Sequence, residues 1–399
     1  MTVDVAIVGG GPAGVAAALE LRHHGHSVII LEREACLGGA TRHCSHSPFG
    51  MREFGRIYLG AAYGQRLQND AARAGVDLRY HQSVTRIGPG GQLEIANPDG
   101  LTSLTARRIL IATGAREKPR SARMLPGDRP VGVITTGTLQ AMIAFQHKIP
   151  FRRPLILGSE LVTLSAVMTC RSNGIYPVAV IETRPFPLVC APLSWFPGLL
   201  GIPFHTGTQV LDIIGKGRVE AVRILRAGQE QVIACDGLLL TGHFTPEASL
   251  LQMSGLALCP DTAGPVIDQT GRLAAGLYAA GNLLRPVETC GWAYREGRCI
   301  GQTIAADLQR GTATATVRVT HDAPLRYVVP QFLQRGMAGM QHFQLRVTRP
   351  VVGEIALELD GRAVFRLQNR WMPERRILVP IPKQAMQAAH VHFSFRESD

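Results

Sequence analysis

The stretch that most narrows what this chain can fold into is its opening, where residues 3–14 read VDVAIVGGGPAG. Val3 to Val8 is a β-branched run of strand type, the glycines make a turn, and Val15 to His23 carries a helical pattern. Each glycine has a task that a side chain would obstruct. Gly9 makes the tight turn, Gly11 lets the backbone approach a pyrophosphate, and Gly14 lets the helix pack closely on the strand. Pro12 and Ala13 open the helix, whose unpaired N–H groups and positive dipole end face the phosphates. A second apolar strand, Ser27 to Leu31, ends in Glu32, 18 residues beyond Gly14, close to the roughly 20 expected for the acid that binds an adenosine ribose. Strand, turn, helix, strand and acid in that order predict an adenine dinucleotide site.

The rest of the chain bounds what such a site serves. With 399 residues it is too long for one ordinary core and suits two or three domains. MTVDVAIVGGG lacks a basic leader and a cleavage site, and no apolar run approaches the roughly 18 residues of a membrane span, so a cytoplasmic protein without a span is expected. The formal charge of +12 is carried by arginine, since Lys118, Lys148, Lys216 and Lys383 are the only lysines. These arginines are dispersed and sparsely interleaved with aromatics, which fits a solvated surface or subunit contact and not a nucleic-acid groove. Eight scattered cysteines include no C-x-x-C pair and no zinc or iron-sulfur spacing.

Downstream of the acid, Glu32-Arg33-Glu34 and Leu37-Gly38-Gly39 resemble the FAD proteins of the pyridine nucleotide-disulfide oxidoreductase superfamily. Residues 109–116, ILIATGAR, resemble its strand and turn that close over the dinucleotide; residues 276–282, GLYAAGN, resemble its second FAD signature. The resemblance implies an α/β fold with two Rossmann-like domains and FAD as cofactor. It implies cofactor contacts from Gly9, Gly11, Pro12, Ala13, Gly14, Glu32, Arg33, Gly38, Gly39, Arg42, His43 and Val84, and from Ala112, Thr113, Gly114, Gly281, Asn282 and Trp292. Asn282 departs from the family's aspartate, keeping a hydrogen-bonding side chain without its charge. The helix beginning near Glu288 is implied to point its N-terminus at the flavin, where a positive dipole end stabilises the reduced ring. Trp292 stacks beside that ring or belongs to an interface core, and Arg116, Lys118, Arg120 and Arg123 form an acidic-ligand patch or a solvated loop. The expected domains are 1–118 and 265–315 for FAD, 119–264 for an NAD(P)-like domain, and 316–399 for a C-terminal domain.

Two features of the superfamily's pattern are altered. Residues 154–182 repeat strand, turn, helix and acid, but the turn reads Gly158-Ser159-Glu160, and Glu160 stands where a glycine admits pyrophosphate. A degenerate nicotinamide site follows. Residues 38–50, GGATRHCSHSPFG, hold only Cys44 where disulfide reductases carry two cysteines, and one thiol cannot cycle to an intramolecular disulfide. Three readings of this segment stand open: a metal site from His43, Cys44 and His46, an active thiol or proton-transfer histidine, or residues that shape the flavin edge. Cys44 and His46 are the catalytic candidates, and no metal is expected.

Residues 343–382 alternate in strand fashion around an Asp360-Gly361 hairpin signal, predicting a small C-terminal β domain, read as a docking surface. The resemblance extends to the FAD subunits of multi-component amine, amino-acid, opine or glycerol-3-phosphate dehydrogenases. It implies two partners, a substrate-oxidising flavoprotein of D-amino-acid-oxidase type and a small [2Fe-2S] protein, or a quinone as acceptor. Two rivals remain: a self-sufficient NAD(P)H-dependent flavin reductase, distinguished by bleaching of its flavin with NADH, and a FAD-containing scaffold with RNA affinity, distinguished by salt-sensitive RNA binding.

Overall fold

A computed structural model of the chain describes residues 2–46, 48–286, 288–310 and 316–398. The chain divides into two compact units. One comprises Met1–Arg42, Pro48–Ala115 and Thr245–Asp399; the other comprises His43–Ser47 and Arg116–Phe244. Residues 245–264, expected with the NAD(P)-like domain, thus lie in the first unit, and the expected boundary at 315/316 falls on 311–315, outside the described residues.

In the first unit the opening strand Thr2–Val8 is central. It pairs in parallel with Val28–Leu31 on one side and Gly100–Ile111 on the other, and Leu277–Ala279 continues the sheet beyond the latter. The four residues Val5, Ala6, Ile7 and Val8 and the whole of Val28–Leu31 are buried, as expected of strands covered on both faces. Strand order reverses on either side of Thr2–Val8, so the glycine turn at its carboxyl end lies where open α/β sheets bind ligands. Helix Pro12–His23 follows that turn and buries Ala13, Gly14, Val15, Ala16, Ala17, Ala18 and Leu21, most of them small. The small residues let helix Cys290–Arg310 cross it closely: a side chain on Gly297 would strike the Ala13 backbone, and one on Gly301 would come within 3.0 Å of the Ala17 carbonyl. The two FAD-type sequence segments, more than 260 residues apart in the chain, are joined by this crossing.

The C-terminal β domain belongs to the same unit. Its two sheets share one apolar core in which the Phe343 and Phe393 rings meet edge to face at 5.1 Å. Val351–Leu359 and Arg362–Trp371 form the expected hairpin, with Asp360 and Gly361 at φ 49° and 80°, the left-handed values of a type I′ turn. The second unit has a parallel sheet in the order Phe204–His205, Ala179–Ile181, Pro154–Leu157, Gly237–Leu240, Val133–Thr135, with helix Leu161–Ser172 following the central strand.

Candidate functional site

In the first unit the glycine turn is built as its sequence predicts, and each glycine differs in why it is needed. Gly9 has φ 105°, and a Cβ there would lie 2.6 Å from the Ala112 carbonyl oxygen, so the Ala112 turn closes directly on it. At Gly14 a Cβ would collide with the Gly9 carbonyl. Gly11, the residue before helix Pro12–His23, has extended backbone (φ −75°, ψ −176°), and a Cβ on it would meet no protein atom within 4 Å. Protein packing therefore does not require glycine at this position; an approaching ligand does. Gly38 and Gly39 run alongside: Gly38 donates its N–H to the Gly10 carbonyl at 2.8 Å, and a Cβ on Gly39 would sit 3.2 Å from the Gly11 Cα.

Glu32 is 6% exposed. Its Oε2 accepts the Gly10 N–H at 2.8 Å and its Oε1 accepts the Glu34 N–H at 2.9 Å, so the carboxylate is fixed at the strand end with lone pairs remaining for ribose hydroxyls. Arg33 is exposed beside Glu34, whereas Arg42 reaches back to the Cys36 sulfur at 2.7 Å and to Glu34 at 3.7 Å. Val84 lies in strand Ser83–Ile87, paired with Ile95. Thr113 donates its hydroxyl to the Glu247 carbonyl at 2.7 Å and Gly114 accepts the Glu247 N–H at 2.8 Å, fastening the turn after Ile111.

The second segment meets the first at Gly281, where a Cβ would come within 2.8 Å of the Ala13 side chain. Asn282 spends its amide locally: Nδ2 donates to the Glu288 carbonyl at 3.0 Å and Oδ1 accepts the Glu288 N–H at 2.9 Å, clamping the ends of its loop. Trp292 carries the Arg376 guanidinium 3.6 Å from its ring centroid, with Arg52 at 5.1 Å and Arg295 at 5.4 Å. Sequence reasoning missed the charges beneath. Arg285, 1% exposed, bonds Glu296 at 2.9 Å and Gln344 at 2.6 Å, while Arg346 and Arg376 of the β domain approach Glu288 at 3.3 and 3.5 Å. Glu296 also accepts the Gly281 N–H at 2.9 Å. The β domain is thereby fastened to the FAD segment by buried ion pairs, and only the polar residues at strand positions of 344 and 346 hinted at it.

In the second unit, His43 meets Phe145 edge to face at 6.2 Å and the Cys44 sulfur lies 3.8 Å from the Gln140 side-chain oxygen. His46 is half-buried. Among the described residues no group of three His, Cys, Asp or Glu is placed to hold a metal ion, and no cysteine forms a disulfide. Arg120 and Arg123 are spent on this unit's own carbonyls, Arg120 on Leu125, Pro126, Gly127 and Asp128, and Arg123 on Lys118, Thr241 and Gly242. No helix among the described residues is long and apolar enough to cross a membrane.

The open side of Gly11, the carboxylate fixed at Glu32 and the turn closed by Ala112 fit the pyrophosphate and adenosine ribose of FAD. When bound, FAD supplies the ring that takes up electrons from a reduced donor. Two glycine-turn sheets, the first of them fitted to FAD, define a flavoprotein oxidoreductase.

The chain belongs to the pyridine nucleotide-disulphide oxidoreductase family, whose model matches residues 3–297. It is 28% identical over 315 residues to an opine oxidase subunit of Agrobacterium tumefaciens (strain Ach5), covering 70% of this chain and 61% of that protein. It is 26% identical over 289 residues to hydrogen cyanide synthase subunit HcnB of Pseudomonas aeruginosa, covering 64% of this chain and 60% of that one. The chain thus spans about three-fifths of the length of these curated relatives. Among solved structures, thioredoxin reductase of T. acidophilum superposes with a TM-score of 0.63 at 24% identity, covering 77% of this chain and 98% of that one. L-proline dehydrogenase from P. horikoshii superposes with a TM-score of 0.61 at 22% identity, covering 77% of this chain and 56% of that chain. These likenesses bear out the two-domain α/β fold and FAD as the cofactor.

Proposed function

We propose that this chain is the FAD-carrying subunit of a hetero-oligomeric dehydrogenase acting on an amino acid, opine, amine or glycerol 3-phosphate. In this reading it works in the cytoplasm and passes electrons between a substrate-oxidising flavoprotein of D-amino-acid-oxidase type and a small [2Fe-2S] protein or a quinone. The observation that carries the reading is a mismatch within the chain. Its FAD cradle is complete, yet the segment at 38–50 holds one cysteine, so the chain lacks there the dithiol through which a disulfide reductase relays electrons. Relatives named as oxidase and synthase subunits support the same direction.

Cys44 and His46 are the residues this reading places in the flavin chemistry. Cys44→Ser and His46→Gln in the FAD-loaded protein should change the rate of flavin reduction or the flavin midpoint potential; variants that match the parent in both would remove them from that role.

The test of the subunit reading is reconstitution. The isolated FAD-loaded chain, mixed anaerobically with D- and L-amino acids, an opine or glycerol 3-phosphate, should keep its oxidised flavin spectrum, and adding a substrate-oxidising flavoprotein of D-amino-acid-oxidase type should make the spectrum bleach with one of these substrates. Full turnover by the isolated chain would contradict the proposal.

A further inference from the structure

The second glycine turn repeats the first, position for position. Gly158 follows its strand with φ 121°, as Gly9 does with φ 105°. Glu160 precedes its helix with φ −70° and ψ 170°, against −75° and −176° at Gly11. The acid at the next strand end is Glu182, 2% exposed, whose Oε1 accepts the N–H two residues on at 3.0 Å, as Glu32 does. The backbone is that of a dinucleotide site at the carboxyl end of a parallel sheet.

The side chains fill it. Glu160 is only 5% exposed, and its Oε1 accepts the His243 N–H at 3.1 Å. Its carboxylate lies across Gly242: a Cβ there would overlap it, and one on Gly158 would come within 2.9 Å of it. Gly242 therefore makes room for an internal carboxylate, and the two residues form a matched seat. The Arg123 guanidinium, which donates to the Thr241 and Gly242 carbonyls at 2.9 and 2.8 Å, supplies the neighbouring positive charge. Thr163, at the place of Gly14, bonds the Gly158 carbonyl with its hydroxyl at 3.0 Å.

The other half is closed as well. Ser159 donates its hydroxyl to Glu182 at 2.5 Å and accepts the Leu188 N–H at 3.0 Å, drawing the following segment over the strand ends. Pro187, Val189, Leu193 and Pro197 line what remains, a cavity of about 10 Å³, at most the room of one water.

We infer that the second dinucleotide crevice is sealed from within, the Glu160 carboxylate taking the place of a pyrophosphate and residues 187–197 that of an adenosine, so that this flavoprotein draws its electrons from a donor other than NADH or NADPH. The inference goes beyond the subunit reading and stands whichever partners the chain assembles with.

The experiment is anaerobic titration of the FAD-loaded protein with NADH and NADPH, following flavin absorbance, together with equilibrium dialysis of each nucleotide and of inorganic pyrophosphate, on the parent chain, Glu160→Gln and Glu160→Gly. The parent should bind neither nucleotide at submillimolar concentration and its flavin should stay oxidised. Glu160→Gly, which restores the residue type of the first turn while residues 187–197 still cover the adenosine half, should bind inorganic pyrophosphate at least tenfold more tightly than the parent, with Glu160→Gln between. Micromolar binding or rapid bleaching by the parent overturns the closure. A Glu160→Gly protein with normal flavin content and circular dichroism that binds pyrophosphate no better overturns the part given to Glu160. Neither result touches the reconstitution that tests the subunit reading.

Discussion

Gly11 and Glu160 occupy the same point of two like turns, and their backbones differ by only a few degrees in φ. What differs is where the negative charge comes from. At Gly11 nothing of the protein approaches, leaving the helix N-terminus to receive a ligand's phosphates; at Glu160 the protein provides its own carboxylate and a glycine at 242 to hold it. The strand-turn-helix geometry survives such a change because its stability comes from buried strands and helix packing, which a side chain at the turn does not touch. Fold and ligand are therefore separable.

The largest effect should come from moving the second turn's residue into the first. Gly11→Glu introduces a side chain into open space, so the chain should fold, while the carboxylate opposes a pyrophosphate; flavin released on denaturation should fall at least tenfold relative to the parent. Next is the brace beneath the second FAD segment, which has no equivalent in the other unit among the described residues. Arg285→Met would leave Glu296 buried without its partner and should cost about 3–5 kcal/mol in urea unfolding.

A matched pair sharpens the comparison. Glu32→Ala strands the Gly10 and Glu34 N–H groups and Glu182→Ala the Arg184 N–H and the Ser159 hydroxyl, at a cost of about 1–3 kcal/mol in each variant. Only Glu32→Ala should also weaken FAD retention, measured by dialysis; an equal loss from Glu182→Ala would argue that both turns bear on the cofactor.

The smallest effect is a pH dependence in the second unit. Partial burial of a ring that stays 40% exposed, followed by the charges of Arg123, Arg184 and Lys118 and offset in part by Glu182, pushes His243 down to about 4. A histidine depressed in the folded state binds fewer protons than in the unfolded chain between that value and its ordinary 6.5, so stability falls as pH drops through that window. Burial raises Glu117, which acts with the opposite sign, so the informative quantity is the difference between the parent and His243→Asn, asparagine being tolerant of the φ of 51° there. The parent should lose stability relative to the variant from pH 6.5 to 4; parallel curves would remove His243 from the account.

Much of this was legible in the sequence because glycine turns announce themselves by residue type. The fold class, the FAD cradle from Gly9 to Glu32, the Asp360-Gly361 hairpin and the oddity of Glu160 all follow from local pattern. What was not legible depends on residues distant in the chain. Nothing in the sequence pairs Glu160 with Gly242, Ser159 with Leu188, or Arg285 with Gln344, since each contact exists only once the strands are ordered. Asn282 shows the same limit: its side chain suits a ribityl hydroxyl by type, and the structure gives both its polar atoms to Glu288. Arg123 reads as part of an exposed basic loop and serves as a brace under Gly242.

The most direct measurement is a crystal structure of the protein grown with FAD and soaked in excess NADH. The account predicts one flavin dinucleotide along Gly9 to Gly14 with its adenosine ribose at Glu32, and the Glu160 carboxylate still bonded to the His243 N–H. Nicotinamide dinucleotide density over Gly158 to Thr163, with Glu160 swung outward, would contradict it.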